Sequence, residues 1–308
     1  MRVDEAVGAI RSQWPTADLV MSLRERPDAR NHVWRVALEP SRTAVLKVAK
    51  VGTLAAERAA LDRIGGWPAP RLLASAPGWL LVDDLGPGAS MAPTALLAAC
   101  GRALGRVHAA TTGFGWEAPP VEVSQAAWRW PAALAGLGDV FAAVGVRWDA
   151  RSARERDRAW RLLSRPGSAR ALTHGDAGPP NVVVRGADVW LIDWEAAGVR
   201  HRALDLFPIV AHWLRANPGP WPAEAESALL AAWSSEVGGG LDDGIPAAAL
   251  AWGATALWPL RAGPQALAVP GRRARVFGAL EETAERIGGT SPRLARDLAR
   301  LRDTLEGA

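Results

Sequence analysis

Lysine is almost missing from this 308-residue chain. It occurs only at Lys47 and Lys50, so all but these two of the 36 basic residues are arginine. Tyrosine is absent altogether, while tryptophan occurs 16 times. The bias reads as the drift of a GC-rich coding sequence, and it makes a lysine inside an apolar strand conspicuous, because arginine is the default base. Cysteine is nearly absent too. Cys100 alone can form neither an internal disulfide nor a cysteine zinc site, which excludes a disulfide scaffold and a zinc ribbon and suits a reducing cytoplasm. Long hydrophobic runs are also lacking: the longest charge-free apolar stretch, Ile245 to Leu260, contains a proline and falls short of a membrane span. The first residues, MRVDEAVGAIRSQW, carry acids where a signal peptide requires an apolar segment. The expectation is a soluble, cytoplasmic protein with no membrane partner. Finally, there is no basic block. The 36 bases and 32 acids are interspersed and leave a net charge of +4, whereas nucleic-acid binding rewards clustered bases, so no nucleic-acid partner is expected.

What remains is an ordinary globular composition, 49% hydrophobic and 22% charged. Single cores rarely grow past ~250–300 residues, so two lobes are expected. Strand-like alternation marks Asp18 to Leu23, Val33 to Leu38 and Thr43 to Ala49 as antiparallel hairpin strands. A helix fits Thr53 to Ile64, followed by strands over Arg71 to Ser75 and Trp79 to Asp83. After Gly86-Pro87-Gly88 the spacing turns helical: Ala92 to Ala110, Ser124 to Val144, Ala153 to Leu163, and several segments from Leu204 onward. This divides the chain into residues 1–86 and 87–308. A hairpin, Asn181 to Val184 against Val189 to Asp193, interrupts the helical part.

Around that hairpin lie His174-Gly175-Asp176-Ala177-Gly178-Pro179-Pro180-Asn181 and Leu191-Ile192-Asp193-Trp194-Glu195. Folding it about Arg185-Gly186-Ala187-Asp188 brings Asn181 opposite Asp193, within a residue of register, beside the Asp176 loop. Asn181 and Asp193 can each offer an oxygen to Mg²⁺, which takes few protein ligands, and Asp176 remains to accept a proton. Taken alone, each of the three is more often a cap or turn residue. In the first half, alternation puts Val45, Lys47 and Ala49 on one face, so Lys47 stands in an apolar row. On the next helix Leu54, Glu57, Leu61 and Ile64 share a face. Opposite charges on facing buried surfaces are costly unless they meet; the alternative is that Lys47 snorkels to an edge and Glu57 lies on a flank.

The order Val-Leu-Lys47-Val, then Glu57, then His174-Gly-Asp176 with Asn181 five residues on, then Ile-Asp193-Trp-Glu195 resembles the aminoglycoside phosphotransferase and choline kinase family. The resemblance runs from about residue 18 to about residue 210. It implies an α+β, two-lobed protein-kinase-like fold, with a small N-terminal antiparallel-sheet lobe and a larger, mostly helical C-terminal lobe. It also implies ATP and Mg²⁺ as cofactors: Lys47 on the nucleotide phosphates, Glu57 holding Lys47, Asp176 as base, and Asn181 and Asp193 on the metal. Leu80 to Gly86, with Val82, Asp83 and Asp84, resembles the hinge whose backbone meets the purine. His108 in Leu104-Gly-Arg-Val-His108 reads as a satisfied helix residue, and Asp205 as a structural acid.

Three features depart from the family pattern. Gly175 replaces the arginine of protein kinases, which argues for a small-molecule substrate; the segment from Arg26 to Arg35 contains no glycine, although Asn31-His32-Val33-Trp34-Arg35 fits the family's looser loops; and Gly178-Pro179-Pro180 stiffens the catalytic loop. The expected function is phosphorylation of a hydroxyl on a small molecule. An aminoglycoside antibiotic is the first named acceptor, drawn by Glu224, Glu226, Asp242, Asp243, Glu281, Glu282 and Glu285. A kinase for thiamine, choline, a sugar or a biosynthetic intermediate, and a catalytically silent binding protein, are the alternatives. Oligomeric state is left open.

Overall fold

Period-two alternation builds the first part of the molecule. In the computed structural model, which describes residues 2–24, 31–50, 54–113, 130–167, 169–207, 209, 223–239 and 244–307, five strands form one sheet. They are β1 (Asp18–Arg24), β2 (Asn31–Glu39), β3 (Arg42–Ala49), β4 (Leu72–Ala76) and β5 (Trp79–Asp83), ordered β1-β2-β3-β5-β4 with every neighbouring pair antiparallel. Ala44, Leu46 and Val48 of β3 take one face, with Val36, Leu38 and Leu81 beside them. Helix α1 (Val3–Arg11) buries Ala6, Val7 and Ile10 against that face. Sequence reading missed α1; its apolar positions, three and four apart, carry the helical signal.

Lys47 and its neighbours Val45 and Ala49 occupy the opposite face. There the register aligns Lys47 with Val33 on one side and Leu80 on the other, and Val45 with Arg35 and Val82. Helix α2 (Ala55–Ile64) follows β3 and packs Ala60 and Leu61 under this face.

The second part is mainly helical: α3 (Pro93–Thr111), α4 (Trp130–Ala135), α5 (Leu137–Val144), α6 (Ala150–Ser164), α7 (Ala223–Val237), α8 (Gly244–Leu257), α9 (Arg272–Ile287) and α10 (Pro292–Glu306). The mixed α+β architecture, a small antiparallel sheet ahead of a helical portion, is the one expected. Part of the helix expected over Ser124 to Val144 lies outside the described residues. The rest is broken at Gly136, where an added Cβ would come within 3.2 Å of both the Ala132 carbonyl and the Trp258 ring. Two short pairs of strands interrupt the helices. The hairpin β7 (Val182–Arg185) and β8 (Asp188–Leu191) was expected, whereas the pair β6 (Arg170–Thr173) and β9 (Gly198–His201) was not.

One apolar core runs through both parts. Leu61, Leu80 and Val82 meet Leu97, Leu104, Val189, Leu191, Trp194, Leu229 and Trp233 in it. Two bonds reinforce the junction: Trp67 Nε1 donates to the Val189 carbonyl (3.1 Å) and the Leu191 amide to that of Pro68 (2.7 Å). Helix α3 lies unusually close to α7, because Gly101 and Gly105 leave no side chain between them. A Cβ at Gly101 would collide with the Leu229 carbonyl, and one at Gly105 would sit 2.7 Å from Glu236 Cβ. Among the described residues, no helix is long and apolar enough to cross a membrane.

Candidate active site

The sheet, α2 and the turn after β8 converge on Lys47. Its Nζ donates to Glu57 Oε1 at 2.6 Å and to Asp193 Oδ1 at 2.8 Å, with Lys47 and Glu57 both buried. Burial alone would push the ammonium down, but the two carboxylates outweigh it and hold Lys47 above lysine's ordinary value. Burial pushes the Glu57 carboxyl up while Lys47 draws it back. At these distances we read the cluster as one ammonium shared by two carboxylates, a costly arrangement for a buried site unless function retains it.

Asp193 is held in the left-handed region, φ 66° and ψ 58°, the one non-glycine residue with positive φ among those described. Such strain of ~1 kcal/mol gathers at functional sites. The turn that imposes it is anchored by fully buried Trp194, whose Nε1 donates to the Leu191 carbonyl at 2.7 Å. The hairpin register pairs Val182 with Leu191, so Asn181 faces Ile192, one residue from Asp193. Asn181 Nδ2 donates to the Asp176 carbonyl (2.8 Å) and to Asp176 Oδ2 (3.2 Å). Asp176 is exposed at the surface of the site, yet the surrounding protein, and then the charges of Asp193, Glu195 and Asp205, push its carboxyl up to about 6 against the bond from Asn181.

These residues fit Mg²⁺. With its Nδ2 engaged, Asn181 offers carbonyl Oδ1, and Asp193 supplies a second hard oxygen beside a local excess of negative charge. No cage of three His, Cys, Asp or Glu side chains exists among the described residues. Mg²⁺ does not require one, since it fills its sphere with water and phosphate oxygens.

At the expected hinge both carboxylates are engaged by arginines, Asp83 at the surface and Asp84 largely covered. Asp83 accepts from Arg71 Nε at 2.8 Å. Asp84 accepts from Arg35 Nε at 2.5 Å, from Thr43 at 2.8 Å and from the Gly86 amide at 2.9 Å. Their side chains tie β5 and the segment after it to β2, β3 and Arg71, while Val82 is buried in the shared core and the Asp83 amide donates to the Arg71 carbonyl at 3.0 Å.

The sequence pattern of the phosphotransferase enzyme family matches residues 22–258. The chain belongs to that family. No curated protein sequence matches it. Solved structures share its fold: a choline/ethanolamine kinase family protein from Mesorhizobium loti (19% identity, 98% of this chain and 100% of the other, TM-score 0.59) and the choline kinase LicA from Streptococcus pneumoniae (13%, 92% and 98%, 0.60). An aminoglycoside phosphotransferase from Alicyclobacillus acidocaldarius does so too (17%, 100% and 98%, 0.53).

In this phosphotransferase the loop bearing Asp176 is suspended from Asp205, a fully buried carboxylate. Asp205 Oδ2 accepts from the His174 amide and Oδ1 from the Gly175 amide, each at 2.7 Å. Trp233 Nε1 can only donate, so its 2.9 Å bond makes His108 Nδ1 an acceptor and leaves His108 Nε2–H to reach Asp205 at 3.1 Å. Burial would raise Asp205, but these donors hold it below the usual carboxylate range. Gly175 cannot be another residue: its φ is 82°, and a Cβ would strike the Ala196 carbonyl and lie 2.6 Å from Arg200 Nη1.

Sequence reasoning passed over Asn31, Arg35 and Trp233 as site supports, and it quoted Glu195 without a role. Their signal is long-range, between residues up to 164 positions apart.

Proposed function

We propose that this phosphotransferase is an ATP- and Mg²⁺-dependent kinase that phosphorylates a hydroxyl of a small molecule in the cytoplasm. Residues 1–86 carry the nucleotide, and 87–308 carry the catalytic loop and the acceptor. The observation that supports it most is the Lys47 ammonium shared by Glu57 and Asp193, next to an Asn181-bound Asp176. A phosphoryl group needs little covalent help from a protein; it needs charge neutralisation, in-line positioning and a base. In this reading Lys47 orients the nucleotide phosphates, Glu57 fixes Lys47, and Asn181 with Asp193 holds the metal. Mg²⁺, when bound, supplies positive charge to the phosphate oxygens. Asp176 accepts the acceptor's hydroxyl proton, and its raised pKa suits a base working near neutral pH. A kinase of similar fold, the amicoumacin kinase hAmiN, is solved in complex with AMP-PNP, Ca²⁺ and Ami, which supports this reading.

An aminoglycoside remains the first acceptor to try, with thiamine, choline, sugars and biosynthetic intermediates beside it. Of the carboxylates expected to draw a polycation, Glu226 and Glu282 are already paired with Arg286 (2.6 and 3.3 Å). Glu224, Glu281 and Glu285 are exposed, and Asp242 and Asp243 lie outside the described residues. Incubation with Mg-ATP and a panel of these compounds, read by mass spectrometry, should yield one product heavier by a phosphoryl group, abolished by Asp176→Asn. Nucleotide binding with no phosphorylated product from any acceptor, and no ATP hydrolysis, would instead make the protein a silent binder.

A further inference from the structure

The flap formed by β1 and β2 carries no glycine from Arg26 to Arg35, so it cannot rely on the close backbone approach that glycine permits. Two side chains hold β2 instead. Arg35 fastens it to the hinge through Asp84, as described above. At the first residue of the strand Asn31, 4% exposed, sends its Nδ2 to Glu195 Oε2 at 3.1 Å, joining positions 164 residues apart. The acceptor end is rigid. Glu195 sits on the short turn Trp194–Ala196, which Trp194 pins into the core and which packs against α2. The carboxylate is also close enough to raise the proton affinity of both Asp176 and Glu57, so it belongs to the charge cluster of the cleft. The donor end is rigid too, since Asn31 is paired in register with Ala49 of the strand that carries Lys47.

On the kinase reading, we infer that Asn31 is a positioning residue. Its bond to Glu195 sets the start of the flap against the acid turn, fixing the roof of the phosphate site by a side-chain contact where a glycine-rich loop would use its backbone. The bond joins an amide donor on β2 to a carboxylate oxygen on the turn. Asn31→Asp would place two carboxylates in contact. Combined with Glu195→Gln it would restore the bond with donor and acceptor exchanged, because the amide introduced on the turn can then donate to the carboxylate introduced on β2.

Two measurements test this, the first without nucleotide or metal. Hydrogen exchange of the β2 amides should accelerate in Asn31→Asp, change little in Glu195→Gln, and return toward wild type in the double variant. A double variant no slower than Asn31→Asp would overturn the inference. The second is calorimetric titration with AMP-PNP in Mg²⁺, in which Asn31→Ala should bind about tenfold more weakly and, in steady state, raise KM for ATP more than it lowers kcat. Unchanged affinity in Asn31→Ala would also overturn it. Wild-type protein that binds no AMP-PNP while the exchange pattern holds would overturn the kinase reading and the positioning role together, although the bond itself would stand.

Discussion

At the scale of single residues, Asp176 combines a cost with a role. A carboxyl raised to about 6 keeps its proton more tightly in the folded protein than in the unfolded chain. It therefore favours the fold at acidic pH, and that contribution is lost as pH rises through about 6. Asp176→Asn should be more stable than wild type at pH 8, by on the order of 1 kcal/mol after solvent screening of this exposed group. The difference should shrink as pH falls below 6, as urea unfolding at a series of pH values would reveal. The same variant should lose about 10³-fold in turnover, because an amide cannot take the acceptor's proton. Retained turnover with a genuine acceptor would remove Asp176 from the chemistry. Lys47 is the second residue of this kind. Its ammonium fits between two carboxylates at 2.6 and 2.8 Å, a slot for a compact point charge and not for a planar fork with five donors. Lys47→Arg should fold, as a melting curve would show, yet turn over roughly 10²-fold more slowly because the phosphates are held off-line. Near-normal kinetics in the folded variant would mean that the charge alone matters.

At the scale of elements, legibility depended on how local the signal was. Strands β1 to β5, α2 and the β7–β8 hairpin announce themselves by period and turn residues, and the Lys47–Glu57 encounter follows from two facing periodicities. The pair β6 and β9 could not be read, because four-residue strands 28 positions apart leave no pattern before they meet. Asp205 was legible as a structural acid, but not what it holds. The chain of His108, Asp205 and the His174 and Gly175 amides is extended to Trp233 because Gly101 and Gly105 let α7 approach α3. That dependence is testable. Asp205→Asn can accept from one backbone amide, but its NH₂ then confronts other donors in a buried site, so unfolding free energy should fall by about 3 kcal/mol. Turnover should fall as well, because the Asp176 loop loses its suspension. Trp233→Phe removes one bond to buried His108 and part of a fully buried ring, so it should cost about 2 kcal/mol with a smaller kinetic effect than Asp205→Asn. The reverse ranking in urea unfolding would mean that α7, rather than Asp205, anchors the loop.

At the scale of the whole molecule, the sheet and the helices are not independent. They share one core, and polar contacts cross between them at Lys47 with Asp193, Trp67 with Val189, Pro68 with Leu191 and Asn31 with Glu195. A ligand that engages residues of both parts should therefore stabilise the molecule as a unit. With AMP-PNP and Mg²⁺ at a hundredfold above Kd, linkage gives ~2.7 kcal/mol, or roughly 5 °C for a chain of this size, in one transition. Asp193 divides that shift into two contributions. On the proposed reading, base and hinge contacts need no metal whereas Asp193 offers a metal oxygen, so Asp193→Ala should erase the part of the shift that Mg²⁺ adds and leave the metal-free part. Alanine also dislikes the left-handed conformation at φ 66°, which by itself lowers the melting temperature of the free protein. Asp193→Gly relieves that strain and still lacks the oxygen, so both variants should lose the same Mg²⁺-dependent shift from different starting temperatures. Thermal scans with nucleotide, with and without Mg²⁺, decide it: a shift that survives in Asp193→Gly would remove this carboxylate from the metal site and leave it as the partner of Lys47.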